Sequence, residues 1–263
     1  WQDRRVAYSE AMGTLHEQYP DDDEIATFYA VSLLSAARAL GDDTFRFEVK
    51  AGTIALDVFN RNPNHPGAPH YAIHSFDDPI HAPLALESAL RYAEIAPAVS
   101  HARHMPTHIF IQHGMWDMVS GHNQFAYDAA RALWEKGDSV SDTVHSLDWG
   151  QYGDLQRGDY EKARLWIDRL EMVTEESGGQ NRASNSLPLL RARYVVETEN
   201  WETLEITEDS ASTELLATGL SAVKTGDLET AEKAAEALKG AGGGNNQVMH
   251  KEVAASILAA RGE

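Results

Sequence analysis

Apolar residues recur along the chain at the three-and-four spacing of helices buried on one face, block after block, with polar breaks between the blocks. Residues 2–18 carry Val6, Met12 and Leu15 toward one side. Asp21-Asp22-Asp23-Glu24 then puts acidic groups where the next helix starts, favourable against its dipole. That helix runs through IATFYAVSLLSAARAL to Gly41, a natural C-terminal stop. Asp42-Asp43-Thr44 opens a third, FRFEVKAGTIALDVFNRN, which Pro63 ends. Helices are predicted over 69–76, closed by Asp77-Asp78-Pro79, and over 82–96, broken by Pro97. SHARHMP leads into another over 106–113, stopped by Gly114, with WDMVSGHNQFAYDAARALWEKG as its long partner. The plan continues through VHSLDWGQYGDLQRG, where Asp142 or Thr143 is the expected cap, to DYEKARLWIDRLEMVTEE and SLPLLRARYVVETENW. After a polar run at 207–213 come ELLATGLSAVKTG, DLETAEKAAEALKG, a flexible loop from Gly240 to Asn246 and VMHKEVAASILAARG. Only Ile109-Phe110-Ile111 has the look of a strand, so the predicted class is all-α.

Composition narrows this picture by exclusion. With no cysteine, neither disulfides nor thiolate metal sites are available. Forty-one acidic against 22 basic residues give a formal charge of -19, which argues against a nucleic-acid partner, since phosphate neutralisation needs clustered Lys and Arg. No apolar run approaches the roughly 20 residues of a membrane span. The chain opens on Trp1 rather than Met, so the expectation is that an N-terminal segment has been removed; the compartment stays open.

Two stretches in the second half share a pattern, Arg157-Gly-Asp-Tyr-Glu-Lys-Ala-Arg and Thr225-Gly-Asp-Leu-Glu-Thr-Ala-Glu-Lys-Ala-Ala-Glu. Both join a Gly-Asp turn to an aromatic residue or leucine and a small residue suited to a helix crossing. They resemble the tetratricopeptide repeat, with spacings longer than its period of about 34 residues. The segments H-P-G-x-x-H-Y-x-I-H and H-x-x-H-M-P-x-H-I-F are similar to those of a histidine-rich bacterial subfamily of such proteins. The resemblance implies a right-handed superhelical array of antiparallel helix pairs, one domain over 1–263 with its histidine-rich core at 65–148. It implies no particular chemistry.

The histidines supply the candidate chemistry. Nine of the twelve lie between His65 and His122. Pro69-His70-x-x-x-His74 and Pro106-Thr107-His108 each set proline just ahead of imidazoles, as at the first turn of a helix, where the missing N–H has no partner to lose. His70, His108 and His145 are separated by 38 and 37 residues, one phase of a repeat. Corresponding helices of a stacked array lie side by side, so these three are expected in a row on a concave face. His74 adds an imidazole one turn from His70, the two-ligand platform of a helical metal site. His101 and His104 precede the helix of His108 and could fold back over the same end. Asp148, three residues after His145, is a candidate ligand or orienting carboxylate.

A histidine at a helix start often serves as a cap, and for any one of these that structural reading leads. For the set the balance reverses, because converging neutral imidazoles each need a partner and repel one another once protonated. His81, His113 and His122 are weaker candidates; His113, beside Gly114, suits a helix C-terminus. His16 and His250 read as surface residues, and Asp77-Asp78 as a turn or cap. No G-x-S-x-G, P-loop or dinucleotide fingerprint is present.

Two functions from different classes follow. The leading one is binding of a divalent transition metal, Zn²⁺ or Cu²⁺ ahead of Fe or Ni, by His70, His74, His104, His108, His145 and Asp148. An open coordination position would activate water or dioxygen, so enzyme activity stays open. The alternative is a metal-free scaffold whose concave groove holds a small molecule, a peptide or a protein helix.

Overall fold

The computed structural model describes residues 1–263 and is all-α: fourteen α-helices and one short 3-10 helix, with no strand. The strand-like run Ile109-Phe110-Ile111 lies inside a helix. No helix is long and apolar enough to cross a membrane. The chain divides into two compact units, Trp1–Leu133 and Trp134–Glu263.

In the first unit, α1 (Gln2–Gln18), α2 (Asp23–Leu40), α3 (Arg46–Arg61) and α4 (Gly67–Ser75) each pack on the next. The acidic run starts α2 as expected, with the Asp22 carboxylate accepting from the Ile25 N–H. The segment expected as one helix over 82–96 divides into a 3-10 turn, Ala82–Ala85, and α5 (Leu86–Ile95). α6 (Ser100–His104) and α7 (Pro106–Gln112) follow, and both pack against α8 (Trp116–Leu133). Pro106 occupies the first position of α7. α4 instead starts two residues before Pro69, because His65 Nδ1 accepts from the N–H groups of Gly67 and Ala68. The otherwise orphaned first N–H groups are thereby satisfied by a side chain.

Ile73, Phe76, Met105, Ile109 and Phe110 are buried in one cluster beneath α4 and α7. Gly52 on α3 makes room for it, since a Cβ there would sit 2.1 Å from the Phe76 ring. With their apolar faces fixed in that core, α4 and α7 turn their histidines away from it.

In the second unit, α9 (Ser141–Gln156) packs on α10 (Tyr160–Glu176) and α11 (Asn181–Thr198). α12 (Ser212–Thr225) packs on α11, α13 (Leu228–Ala241) and α14 (Gly244–Arg261). The two Gly-Asp turns share one geometry. Gly158 and Gly226 take φ of 72° and 85°, in the left-handed region, and Asp159 and Asp227 cap the next helix by accepting from Lys162 and Thr230 N–H. Two expectations are corrected. The N-cap of α9 is Val140, with no cap from Asp142 or Thr143, and Ser139 Oγ accepts from the Ser141 N–H instead. The loop expected from Gly240 to Asn246 shrinks to a turn at Gly242 and Gly243, because α14 already starts at Gly244.

Candidate metal centre

His70 and His74 lie one turn apart on α4, and His101 and His104 on α6, with His108 one turn further on in α7. By contact they fall into two sets, His70-His74-His101 and His104-His108.

The first set converges at a point. His70 Nε2 lies 3.1 Å from His74 Nε2 and 3.2 Å from His101 Nε2. The ligand nitrogens of all three lie within 4.8 Å of one another. One ring nitrogen of a neutral imidazole offers either a proton or a lone pair, so His70 Nε2 satisfies only one such neighbour by hydrogen bonding. The His70 ring stacks on Tyr92, at 5.3 Å and 17°, which fixes its plane. Burial, reinforced by the surrounding imidazoles, lowers the His70 pKa to about 3. Burial first, then His108, His101 and Arg38, lowers that of His74 to about 4. Both rings are therefore neutral at pH 7, the form that coordinates a metal.

The second set is more tightly determined. His104, 1% exposed, places Nδ1 2.7 Å from Asn123 Oδ1. The Asn123 amide is oriented by its own Nδ2, which donates to the Val119 carbonyl at 2.8 Å, so its oxygen faces the ring and His104 Nδ1 is the donor. His108 Nδ1 similarly donates to Asp77 Oδ2 at 2.7 Å. With both protons on Nδ1, both Nε2 atoms carry lone pairs, and these stand 3.2 Å apart. Two acceptors at that distance suit a shared cation, a proton or a metal. The rings of His74 and His108 are 6.3 Å apart, so the two sets adjoin.

The remaining candidates are placed as follows. His145 lies on α9 in the second unit, its ring 5.9 Å from that of Trp149. Asp148, also on α9, accepts from Arg193 Nη2 at 2.6 Å. His113 Nδ1 donates to the Ile109 carbonyl at the end of α7, the helix-terminal role its position suggested. His122 donates to the Arg103 carbonyl and packs on Phe110, and burial lowers its pKa. His81 pairs with Asp78, whose Oδ1 also accepts from the Ile80 and His81 N–H groups, so Asp78 is the expected turn residue. His16 and His250 are not simple surface residues: His16 packs on Tyr29, and His250 donates to the Ala235 carbonyl.

Asp77 and Asn123 are the orienting groups that sequence reasoning missed. Asp77 had a signal, since it stands seven residues after His70, in register with His74. Asn123 had none, because it reaches His104 from a separate helix.

A scan of protein-family models finds no match to the chain, and a search of curated proteins finds none either.

Proposed function

We propose that the protein binds a divalent transition metal through the imidazole cluster of its first unit, with Zn²⁺ or Cu²⁺ ahead of Fe or Ni. His70, His74 and His101 form one ligand set and His104 and His108 the adjoining one. The observation that carries this reading is the convergence of the His70, His74 and His101 ligand nitrogens within 4.8 Å of one another, with His104 and His108 adjoining and their Nδ1 atoms committed to oxygen acceptors. A carboxylate or amide oxygen behind a ligating imidazole is the usual support of such a site. The spacing agrees as well: nitrogens bound at about 2.0–2.1 Å to a tetrahedral ion lie about 3.3–3.4 Å apart. Three protein ligands leave a fourth position for water or substrate, so metal-assisted hydrolysis or oxidation is the class of activity to assay.

His145 and Asp148 enter this proposal on sequence spacing, and Asp148 would have to exchange its Arg193 partner to serve. The tetratricopeptide-like, right-handed array is likewise part of the proposal. Its support is the shared geometry of the Gly158-Asp159 and Gly226-Asp227 turns and the packing of consecutive helices within each unit.

The test is metal analysis of untagged protein, followed by melts with Zn²⁺ and Cu²⁺. A ligand bound only to the folded state adds about 2.7 kcal/mol of stability at a hundredfold excess over Kd. His70→Ala and His108→Ala should each remove most of that gain, His145→Ala should reduce it if the spacing argument holds, and His250→Ala should leave it intact. Equal stabilisation of wild type, His70→Ala and His108→Ala would mean diffuse cation binding by the acidic surface. The metal-free scaffold reading would then lead.

A further inference from the structure

Beside the imidazole cluster the first unit holds a cavity of about 500 Å³, whose wall includes His74 and Asp77. Ser75 and a third carboxylate, Asp78, line it too; the rest of the lining comes from α1, α2 and the start of α3, and it is chemically divided. Arg5 and Arg38 bring two guanidinium groups, and Val31, Leu34 and Phe45 an apolar stretch. Glu48 brings a carboxylate whose Oε2 is buried without a hydrogen-bond partner.

Arg61, Arg91, Arg164, Arg191, Arg193 and Arg261 all meet carboxylates. Arg5 instead donates to Ser35 Oγ at 2.6 Å and lies over the Trp1 ring, and Arg38 forms no ion pair. Neither guanidinium is ion-paired, although Glu48, Asp77 and Asp78 line the same cavity, and their planar forks suit a carboxylate in particular. An acceptor-only Glu48 oxygen, buried and unsatisfied, needs a donor.

We propose that this cavity binds a small carboxylic acid bearing a hydroxyl or amine, its carboxylate held by Arg38 and Arg5 and its donor group by Glu48. The ligand would lie beside His74, within reach of a metal on the imidazole cluster, which makes it the natural substrate or co-ligand of that site. The arginine wall and Glu48 are independent of the metal, so the two proposals fail separately.

The experiment is calorimetric titration of metal-free protein, prepared with a chelator that is then dialysed away, with lactate, malate, alanine and leucine. Propionate, which lacks the donor, and inorganic phosphate serve as comparison anions. Saturable binding of at least one hydroxy or amino acid is expected, with propionate weaker. Arg38→Gln should weaken it roughly tenfold, the loss of one charge-assisted contact, while Arg38→Lys keeps part of it. Glu48→Gln should bring the donor-bearing acid and propionate closer together. Arg38 is exposed on α2, so its variants should melt as wild type does, and the melts confirm folding. No binding by any acid, equal binding by Arg38→Gln, or tighter binding of phosphate than of every acid would overturn the proposal. Zinc-induced stabilisation measured on the same preparations reports on the metal site by itself.

Discussion

Each unit contains a cluster of buried or half-buried polar side chains, and the two clusters are built on opposite principles. In the second unit, Asp154 is fully buried and accepts from Trp166 Nε1 at 2.6 Å, with Arg157 and Lys162 at 3.4 and 3.7 Å. Gln151, equally buried, donates to the Leu190 carbonyl and accepts from Arg193. There donors meet acceptors, and the network is complete without anything from solution. In the first unit acceptor meets acceptor at His104 and His108, and three imidazole nitrogens crowd one point at His70. A closed donor–acceptor network rigidifies a fold, whereas ring nitrogens gathered on one point are the arrangement that a metal ion uses. The second cluster is structural by this criterion, and the first is the candidate site.

The largest effect expected from this contrast comes from breaking the satisfied network. Asp154→Ala leaves the Trp166 N–H buried without an acceptor and removes the partner of two cations. The expected cost is about 3 kcal/mol in chemical denaturation. Zinc should still raise the melting temperature of this variant as it does the wild type. A cost below about 1 kcal/mol would show that Asp154 is not the centre of a structural network.

Next is the response of the metal-free protein to acid. The ordinary histidine value of 6.5 describes the unfolded chain, while His70 and His74 titrate at about 3 and about 4 in the fold. Between those limits the unfolded state binds more protons. The contribution of these two rings to stability is therefore complete above about pH 6.5 and is lost as pH falls toward 4 and 3. The lowered carboxylates Asp23 and Asp78 start from 3.8, so their loss belongs to lower pH, and the interval from 4 to 6.5 reports on histidine. His70→Gln/His74→Gln should flatten the stability profile there. An unchanged slope in that double variant would mean that these rings are accessible to protons in the fold.

How much of this was legible beforehand depended on range. The helices were readable because apolar spacing and Gly, Pro and Asp breaks act locally, as at Gly41, Pro63 and Gly114. Where the expectation slipped, a side chain from outside the helix intervened: His65 moved the start of α4, and Ser139 took the capping role expected of Asp142 or Thr143. His70 and His74 as neighbours followed from a single helical turn. For His101 the sequence indicates only that it folds back over that end, because its meeting with His70 depends on how α6 crosses α4. The Asn123 contact and the Arg5–Arg38 wall come from separate helices, and nothing in a linear pattern records such an encounter.

The smallest change sharpens the comparison most. Asp77 lies at the edge of the imidazole cluster, and its Oδ2 fixes the His108 proton on Nδ1. Asp77→Ala removes that acceptor while leaving every proposed ligand in place. The ring is then free to put its proton on Nε2, where it competes with the metal. Loss of such an orienting group typically weakens metal affinity about 10- to 100-fold. Asp77→Asn keeps an oxygen that can accept from Nδ1 and should recover part of the affinity. Because Asp77 is not part of the buried core, the metal-free melts of both variants should stay within about 0.5 kcal/mol of wild type. Competition titrations with a zinc indicator read the affinity, and metal-free melts read the fold. If Asp77→Ala lowers stability while zinc affinity stays at the wild-type value, the carboxylate supports only the packing of α4 against α7. The His104–His108 contact would then resemble the closed network of the second unit more than an ion site.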